Sequence, residues 1–371
     1  MSTLQKELLP RESLKQINNY IAAKTIESVK RELGVDKVVK LAGNENTNGY
    51  SPHVKEVIKN SLEDLSYYPD MNCTVLREKL SKSHKVEQDQ LIFGNGSFEL
   101  ISIVAQTFLE QGDESLMIEP SFGWYKNVTW QQDATLISVP LRDFKVDLKL
   151  VKENITDRTK VIWLCNPNNP TGTIVTEPEL KEFLSELRPD ILLVLDEAYV
   201  DFVTEKGFPN SVQLLKEYNN IIILRTFSKA YGLASFRIGY GIASNKVISY
   251  LNKVRLPINT NTLAQVAAAA SLEDEVFYQY VLQNNRNGLE LYYKTLQELG
   301  LEYVRSNCNF ILFNTGLDGE FVAKEYYRRG IIIRAGKEFG LPTWVRISIG
   351  TFNENTLVLE VLKEIVGNHS E

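Results

Sequence analysis

Residues 161–172 read VIWLCNPNNPTG, residues 191–199 read ILLVLDEAY, and residues 221–229 read IIILRTFSK. Each segment opens with a run of four or five apolar residues and stops abruptly at a polar cluster. Runs this short and this uniformly apolar suit strands covered on both faces, the condition of a parallel sheet flanked by helices. Residues 91–93 and 115–118 are of the same kind. Amphipathic stretches separate the runs. In one of them Thr176 is placed to cap a helix, with Pro178 and Glu179 in its first turn and Phe183, Leu184 and Leu187 on its inner face before Pro189. From about residue 90 to 245 the alternation is that of βαβ units, so the expected fold is α/β with a mainly parallel central sheet.

Ligands of open parallel sheets sit beyond the carboxyl ends of the strands. That rule brings Asn169, Asp196, Tyr199, Ser228 and Lys229 to one crevice. The run at 91–93 leads into Gly94, Asn95, Gly96 and Ser97 and then an apolar helix from about Phe98, which leaves free backbone N–H groups at a helix N-terminus, a setting for an anion. Taken alone, GNGS fits a plain turn equally well. A Ser228 hydroxyl and an Arg237 guanidinium on the same anion would favour a phosphate.

The rest of the chain bounds the answer. Its 371 residues suggest a large and a smaller domain. After about residue 260 the pattern changes to a long helix at 281–299 followed by strands at 309–313, 331–334 and 345–349. The expected division is an N-terminal segment, 1–40, joining the small domain and a dimer interface; a large domain, 41–258; and a small α/β domain, 259–371. A net charge of −6, with no run of five basic residues, argues against nucleic acid as a partner. Cys73, Cys165 and Cys308 form no CxxC pair, and His53, His84 and His369 lie apart, so no metal site is expected. The opening MSTLQKELLPRESLKQ lacks the apolar core of a secretory signal, and no apolar stretch approaches the length of a membrane span. A cytoplasmic protein without membrane partners is the expectation.

One cofactor matches the inventory of the crevice. It carries a phosphate, a pyridine nitrogen that needs an anionic partner and an aldehyde that needs a lysine: pyridoxal 5′-phosphate. Nucleotide cofactors fit less well, because neither GxGxxG after a strand nor GxxxxGK[ST] occurs. Asp196 ends a wholly apolar strand, where a carboxylate is costly unless it meets a cation or good donors. A protonated ring nitrogen is such a cation; the competing reading is a helix cap for the segment that follows.

NPNNPTG, then DEAY, then TFSKAYGLASFRIGY, in that order, resembles the fold-type-I pyridoxal-phosphate-dependent aminotransferases, and the resemblance covers nearly the whole chain. Tyr20-Ile21-Ala22-Ala23-Lys24, LAGNEN, Tyr68-Pro69-Asp70 and WVRISIGT are similar to the histidinol-phosphate aminotransferase branch. The resemblance implies that Lys229 carries the cofactor aldehyde and moves the proton at the substrate α-carbon. Burial among cationic groups would push that lysine towards the neutral amine this task needs. It also implies that Asp196 holds the ring nitrogen protonated and that Asn169 and Tyr199 meet the ring 3′-oxygen, although Asn169 would equally shape its turn and Tyr199 would equally serve as core. Phe122 is implied to stack on the ring, with a core aromatic as the alternative. Gly96, Ser97, Thr226, Ser228 and Arg237 are implied around the phosphate, and Tyr68 is implied to reach the cofactor of the neighbouring subunit in a homodimer, against a buried loop tyrosine.

On the substrate side the resemblance implies Arg346, Arg334 and Tyr20 around an anionic end, with a surface ion pair as the alternative for Arg334. The implied reaction transfers an amino group from histidinol phosphate to 2-oxoglutarate. An aromatic amino-acid aminotransferase and a decarboxylase resembling threonine-phosphate decarboxylase are the other readings. Three residues depart from the branch pattern: Thr47 where proline is usual, Phe98 where an acidic residue is common, and Ser235 where glycine is usual. Thr47 and Phe98 are expected near the mouth of the site, so these departures bear on the substrate.

Overall fold

The computed structural model describes residues 8–17, 24–63 and 65–368. Its largest sheet has seven strands, ordered Leu91–Gly94, Gly239–Ala243, Ile221–Thr226, Leu192–Asp196, Thr159–Cys165, Glu114–Glu119 and Thr135–Pro140. The last five run parallel; Gly239–Ala243 is antiparallel to both of its neighbours. The apolar runs are therefore strands, and the chain is an α/β protein as expected. Two strands escape a reading by apolar runs. Thr135–Pro140 is a partly exposed edge strand, and Gly239–Ala243, GYGIA, is built on residues that strands usually avoid.

Side chains alternate across the sheet, so each face is sealed by its own helices. One face buries Ile92, Met117, Trp163, Val194 and Leu224 against the helices Ser97–Phe108 and Trp124–Gln131. The other buries Phe93, Ile118, Leu164, Leu195 and Ile223, with Phe183 and Leu184 of Glu177–Glu186 and the alanines of Thr262–Ser271 in the same core. The helix Glu177–Glu186 begins with a reciprocal capping box between Thr176 and Glu179, which fixes its start where the sequence placed it.

A second core gathers Tyr292 and Leu296 of the helix Glu275–Glu298, Phe313 and Ile347 of two strands, and Val358 and Leu362 of the helix Phe352–Gly367. Its antiparallel sheet runs Arg334–Ala335, Trp344–Ser348, Phe310–Asn314, Tyr303–Val304. The strand expected at 331–334 is divided. Ile331–Ile332 pairs in parallel with Val39–Lys40, and the chain then changes partner so that Arg334–Ala335 joins Trp344–Ser348. An apolar run records burial and carries no record of a change of partner. The Val39–Lys40 pairing and the buried Leu41 tie the N-terminal part of the chain to this second core.

Candidate active site

Register explains why the polar clusters meet. Cys165 stands opposite Asp196, and Asp196 opposite Leu224, so the loop NPNNPTG, the DEAY turn and the RTFSK segment leave the sheet side by side. Gly94 and Thr226 both stand opposite Gly239, which sets the GNGS turn level with the same edge. Two adjoining cavities, of about 440 and about 430 Å³, open there and share Gly43, Phe98, Phe122, Asn169, Tyr199 and Lys229 in their walls.

The first cavity has a polar cradle at one end. The Thr226 hydroxyl donates to Ser228 Oγ at 3.0 Å, and the Arg237 guanidinium lies 3.5 Å from the same oxygen while donating to Ala234 O at 2.8 Å. Ser97, the first residue of its helix, lines this cavity, and Gly96 caps that helix at φ 78°. A Cβ at Gly96 would overlap the Arg237 guanidinium, so this position needs both a left-handed backbone and no side chain. Gly239 is constrained by space alone: a Cβ there would stand 2.7 Å from Ser97 N and 3.0 Å from Arg225 O. Backbone amide, hydroxyls and guanidinium thus converge where a phosphate would fit.

Asp196 lies in the wall of this cavity, buried. Its carboxylate accepts from the Tyr125 phenol at 2.7 Å and from the Ala198 N–H at 3.2 Å. It caps no α-helix: the short turn that follows, Val200–Phe202, has Tyr199 as its N-cap. Burial is the main influence on its acidity and pushes its pKa up to about 6, against the pull of the Tyr125 hydrogen bond. Lys229 donates to Gly43 O at 3.1 Å and sits 5.7 Å above the Tyr199 ring. Burial first, and the positive charge of Arg346 second, bring its pKa down to about 8. The Tyr199 hydroxyl accepts from Asn44 Nδ2 at 2.9 Å and from Asn169 Nδ2 at 3.3 Å, and burial holds this phenol protonated. Phe122 also lines this cavity, edge-on to Phe98 at 5.0 Å between ring centres.

The second cavity runs from Lys229 to two arginines. Arg334 and Arg346 are direct register partners on adjacent antiparallel strands and therefore share a face of their sheet. Arg346 is buried; its Nη1 is bonded to Asn169 Oδ1, its Nη2 donates to Ala42 O at 3.0 Å, and its Nε has no hydrogen-bond partner among the described residues. Arg334 is ion-paired with Glu338 at 2.7 Å, and both line the cavity. The ion pair expected as an alternative for Arg334 is thus present, but inside the cavity wall.

The structure gathers Ser97, Phe122, Asn169, Asp196, Tyr199, Thr226, Ser228, Lys229, Arg237, Arg334 and Arg346 around the two cavities, with Gly96 pressed against Arg237. It does not bring Tyr68 there. That side chain is 88% exposed, so it is no buried loop tyrosine either. Tyr20 lies outside the described residues. Thr47 also departs from expectation: it lines neither cavity, and its hydroxyl donates to Glu354 at 2.6 Å and accepts from the Thr351 N–H at 3.1 Å. Phe98 lines both cavities, as expected of a residue at the mouth, and Ser235 lines the first. Tyr125, Asn44, Gly239 and Glu338 were not singled out from sequence. Asn44 stands inside LAGNEN and Tyr125 ends PSFGWY, so both were close to legible.

Residues 36–362 match the family model described as aminotransferase class I and II. The chain is 44% identical over 356 residues to the histidinol-phosphate aminotransferase of Caldicellulosiruptor saccharolyticus, covering 96% of this chain and 99% of that one. It is also 44% identical to the enzyme of the same name from Geobacillus thermodenitrificans, at 96% and 98% coverage. In fold it is similar to a histidinol-phosphate aminotransferase from Sinorhizobium meliloti solved with pyridoxal 5′-phosphate, with a TM-score of 0.89, 23% identity, and 99% and 100% of the two chains covered. The chain belongs to the class I and II aminotransferases, enzymes that work with pyridoxal phosphate, and within them to the histidinol-phosphate aminotransferases.

Proposed function

We propose that this enzyme takes the amino group of histidinol phosphate and passes it to 2-oxoglutarate. One observation carries the substrate: two arginines stand directly opposite each other on neighbouring strands, in the wall of the cavity that holds Lys229. Like charges in that relation repel, so the pair favours an anion between them. Glu338 answers one cation, and the buried Nε of Arg346 meets no acceptor among the described residues. A phosphate has enough oxygens for both guanidiniums, whereas a carboxylate is satisfied by one. Tyr20 is proposed as the third donor, on the strength of the family resemblance alone.

The cofactor, when bound, supplies an aldehyde for an amine to capture and a protonated ring that draws electrons from the substrate α-carbon. Gly96, Ser97, Thr226, Ser228 and Arg237 would hold its phosphate; Asp196 would hold its ring nitrogen; Asn169 and Tyr199 would hold its 3′-oxygen; Phe122 would cover its ring. Lys229 would anchor it and, as a neutral amine, would take the proton from the substrate α-carbon. Asn169 also bonds Arg346, so the cofactor side and the substrate side share one side chain.

We further read the molecule as a large unit built on the seven-stranded sheet and a small unit built on the second core. The packing of Thr262–Ser271 with the large core supports a boundary after that helix rather than at 259; of the N-terminal segment, the stretch from Val29 to Leu41 is read with the small unit, while Arg11 and Glu12–Gln16 lie against the helix Trp124–Gln131 of the large one. A homodimer is proposed, with Tyr68 reaching the partner's site. Tyr67, Tyr68, Met71 and Val75 form an exposed apolar stretch that a second copy would cover. Buried, free cysteines fit the reducing cytoplasm, where we place the enzyme.

The test compares kcat/KM for histidinol phosphate, histidinol and phenylalanine with 2-oxoglutarate as acceptor, in the wild type and in Arg346→Ala. Histidinol phosphate is expected to lead, and Arg346→Ala to remove a factor of roughly 30 to 1,000, the usual consequence of stranding one partner of a buried charge pair. A lead for phenylalanine, or no loss in the variant, overturns the substrate. Release of carbon dioxide without an oxo product would make the enzyme a decarboxylase.

A further inference from the structure

Asp196 is held from behind by a residue that the chemistry above does not use. We propose that Tyr125 is a positioning residue for the cofactor ring, its phenol fixing the Asp196 carboxylate in place and keeping it ionised opposite the ring nitrogen. The inference rests on the reading that Asp196 faces that nitrogen. Tyr125 is fully buried in the helix Trp124–Gln131, and its hydroxyl donates to Asp196 Oδ2 at 2.7 Å. Its ring lies parallel to Trp163, 5.3 Å centre to centre at 6°, so the phenol has little freedom to turn away. Its other neighbour is Phe122, edge-on at 5.5 Å, the ring proposed to cover the cofactor. One side chain thus braces the two groups that would grip the ring from its nitrogen and from its face.

The need for a donor follows from the surroundings. A carboxylate this deep is driven towards its neutral form, which would offer the ring nitrogen no charge. The titratable groups that face it are Tyr125 from its helix, Cys165 from the neighbouring strand, Glu197 just past the end of its own strand, and Lys229 from the segment after Ile221–Thr226. Glu197 disfavours the ionised state, and it is itself paired with Arg225 at 2.8 Å. Among these groups the strongest support for the carboxylate comes from the Tyr125 phenol.

Tyr125→Phe keeps the ring against Trp163 and deletes only the donor. Cofactor-free wild type, Tyr125→Phe and Asp196→Asn would be titrated with pyridoxal phosphate from pH 5 to 9, following absorbance, with thermal melting as the check on folding. The expected result for Tyr125→Phe is an affinity about 10-fold weaker near neutral pH. The pH below which affinity falls should move upward, because the carboxyl then keeps its proton to higher pH. Replacing Tyr125 by 3-fluorotyrosine, a stronger donor of nearly the same size, should move that pH downward and serves as a second variant. An unchanged affinity and midpoint in Tyr125→Phe beside a defective Asp196→Asn overturns the role of Tyr125 and leaves that of Asp196 standing. A loss equal at every pH overturns it also, since that is the mark of packing alone. Wild-type affinity and turnover in Asp196→Asn would remove the premise itself.

Discussion

At the scale of single residues, the site depends on two buried groups whose acidities are displaced in opposite senses. Lys229 has its pKa lowered to about 8 and Asp196 has its pKa raised to about 6. For a lowered lysine the folded state binds fewer protons than the unfolded chain. Its contribution to stability is present above the unfolded value and is lost as pH falls through about 8. For a raised aspartate the contribution is present below the unfolded value and is lost as pH rises through about 6. In the roles proposed for them, Lys229 must be neutral and Asp196 ionised for the cofactor to be captured, so both requirements improve with rising pH. The rate at which cofactor-free enzyme captures pyridoxal phosphate should therefore climb about tenfold per pH unit between about 6 and about 8, more steeply below about 6, and level off above about 8. Stopped-flow absorbance measures this, and a flat profile would count against the assignment. Lys229→Ala should abolish the cofactor's absorbance change altogether; borohydride reduction and peptide mapping that located the label on another lysine would reject Lys229 outright.

At the scale of elements, the cradle depends on how closely the strand Gly239–Ala243 approaches the start of the helix Ser97–Phe108. Gly239→Ala would push a methyl to within 2.7 Å of the Ser97 nitrogen and 3.0 Å of the Arg225 oxygen, both backbone atoms that cannot swing aside. The helix start must then shift by some tenths of an ångström, taking its N–H groups away from the place proposed for the phosphate. Cofactor affinity should fall about tenfold or more, with a melting temperature lowered in the same variant, since overpacking of this kind costs about 1–3 kcal/mol. Equilibrium titration with the cofactor and a thermal melt check both parts. The reciprocal capping box at Thr176 offers a contrast. It lies away from both cavities, so Thr176→Ala should cost about 1 kcal/mol of stability and leave cofactor affinity untouched.

At the scale of the whole molecule, the two cores meet at the active site and are pinned to each other beside it. Asn44 donates its backbone N–H to Ser348 Oγ and its Nδ2 to the Tyr199 hydroxyl and accepts from Ser348 Oγ at its Oδ1, Arg346 reaches back to Asn169 and Ala42, and Thr47 bonds Glu354 at the start of the helix Phe352–Gly367. Thr47 therefore acts in fastening the LAGNEN segment to the small core. Thr47→Ala should lower stability by about 1 kcal/mol and leave the preference for histidinol phosphate over phenylalanine unchanged. A changed preference, measured as the ratio of kcat/KM values, would return Thr47 to the substrate pocket.

The α/β class and the strands that end at the site were determined by the sequence alone, because a buried apolar run that stops at a polar cluster leaves its pattern along the chain, and Asn169, Asp196 and Lys229 stand where such runs stop. The glycine-rich strand Gly239–Ala243 left none, since its reason for being glycine is the backbone packed across from it. Tertiary structure alone decided which donor stands behind Asp196, that Arg334 and Arg346 are opposite each other, and that Glu338 answers Arg334. Each of these is a pairing between segments far apart or newly turned towards one another, and the energy of such a contact lies in distance and orientation, quantities that the order of residues does not carry.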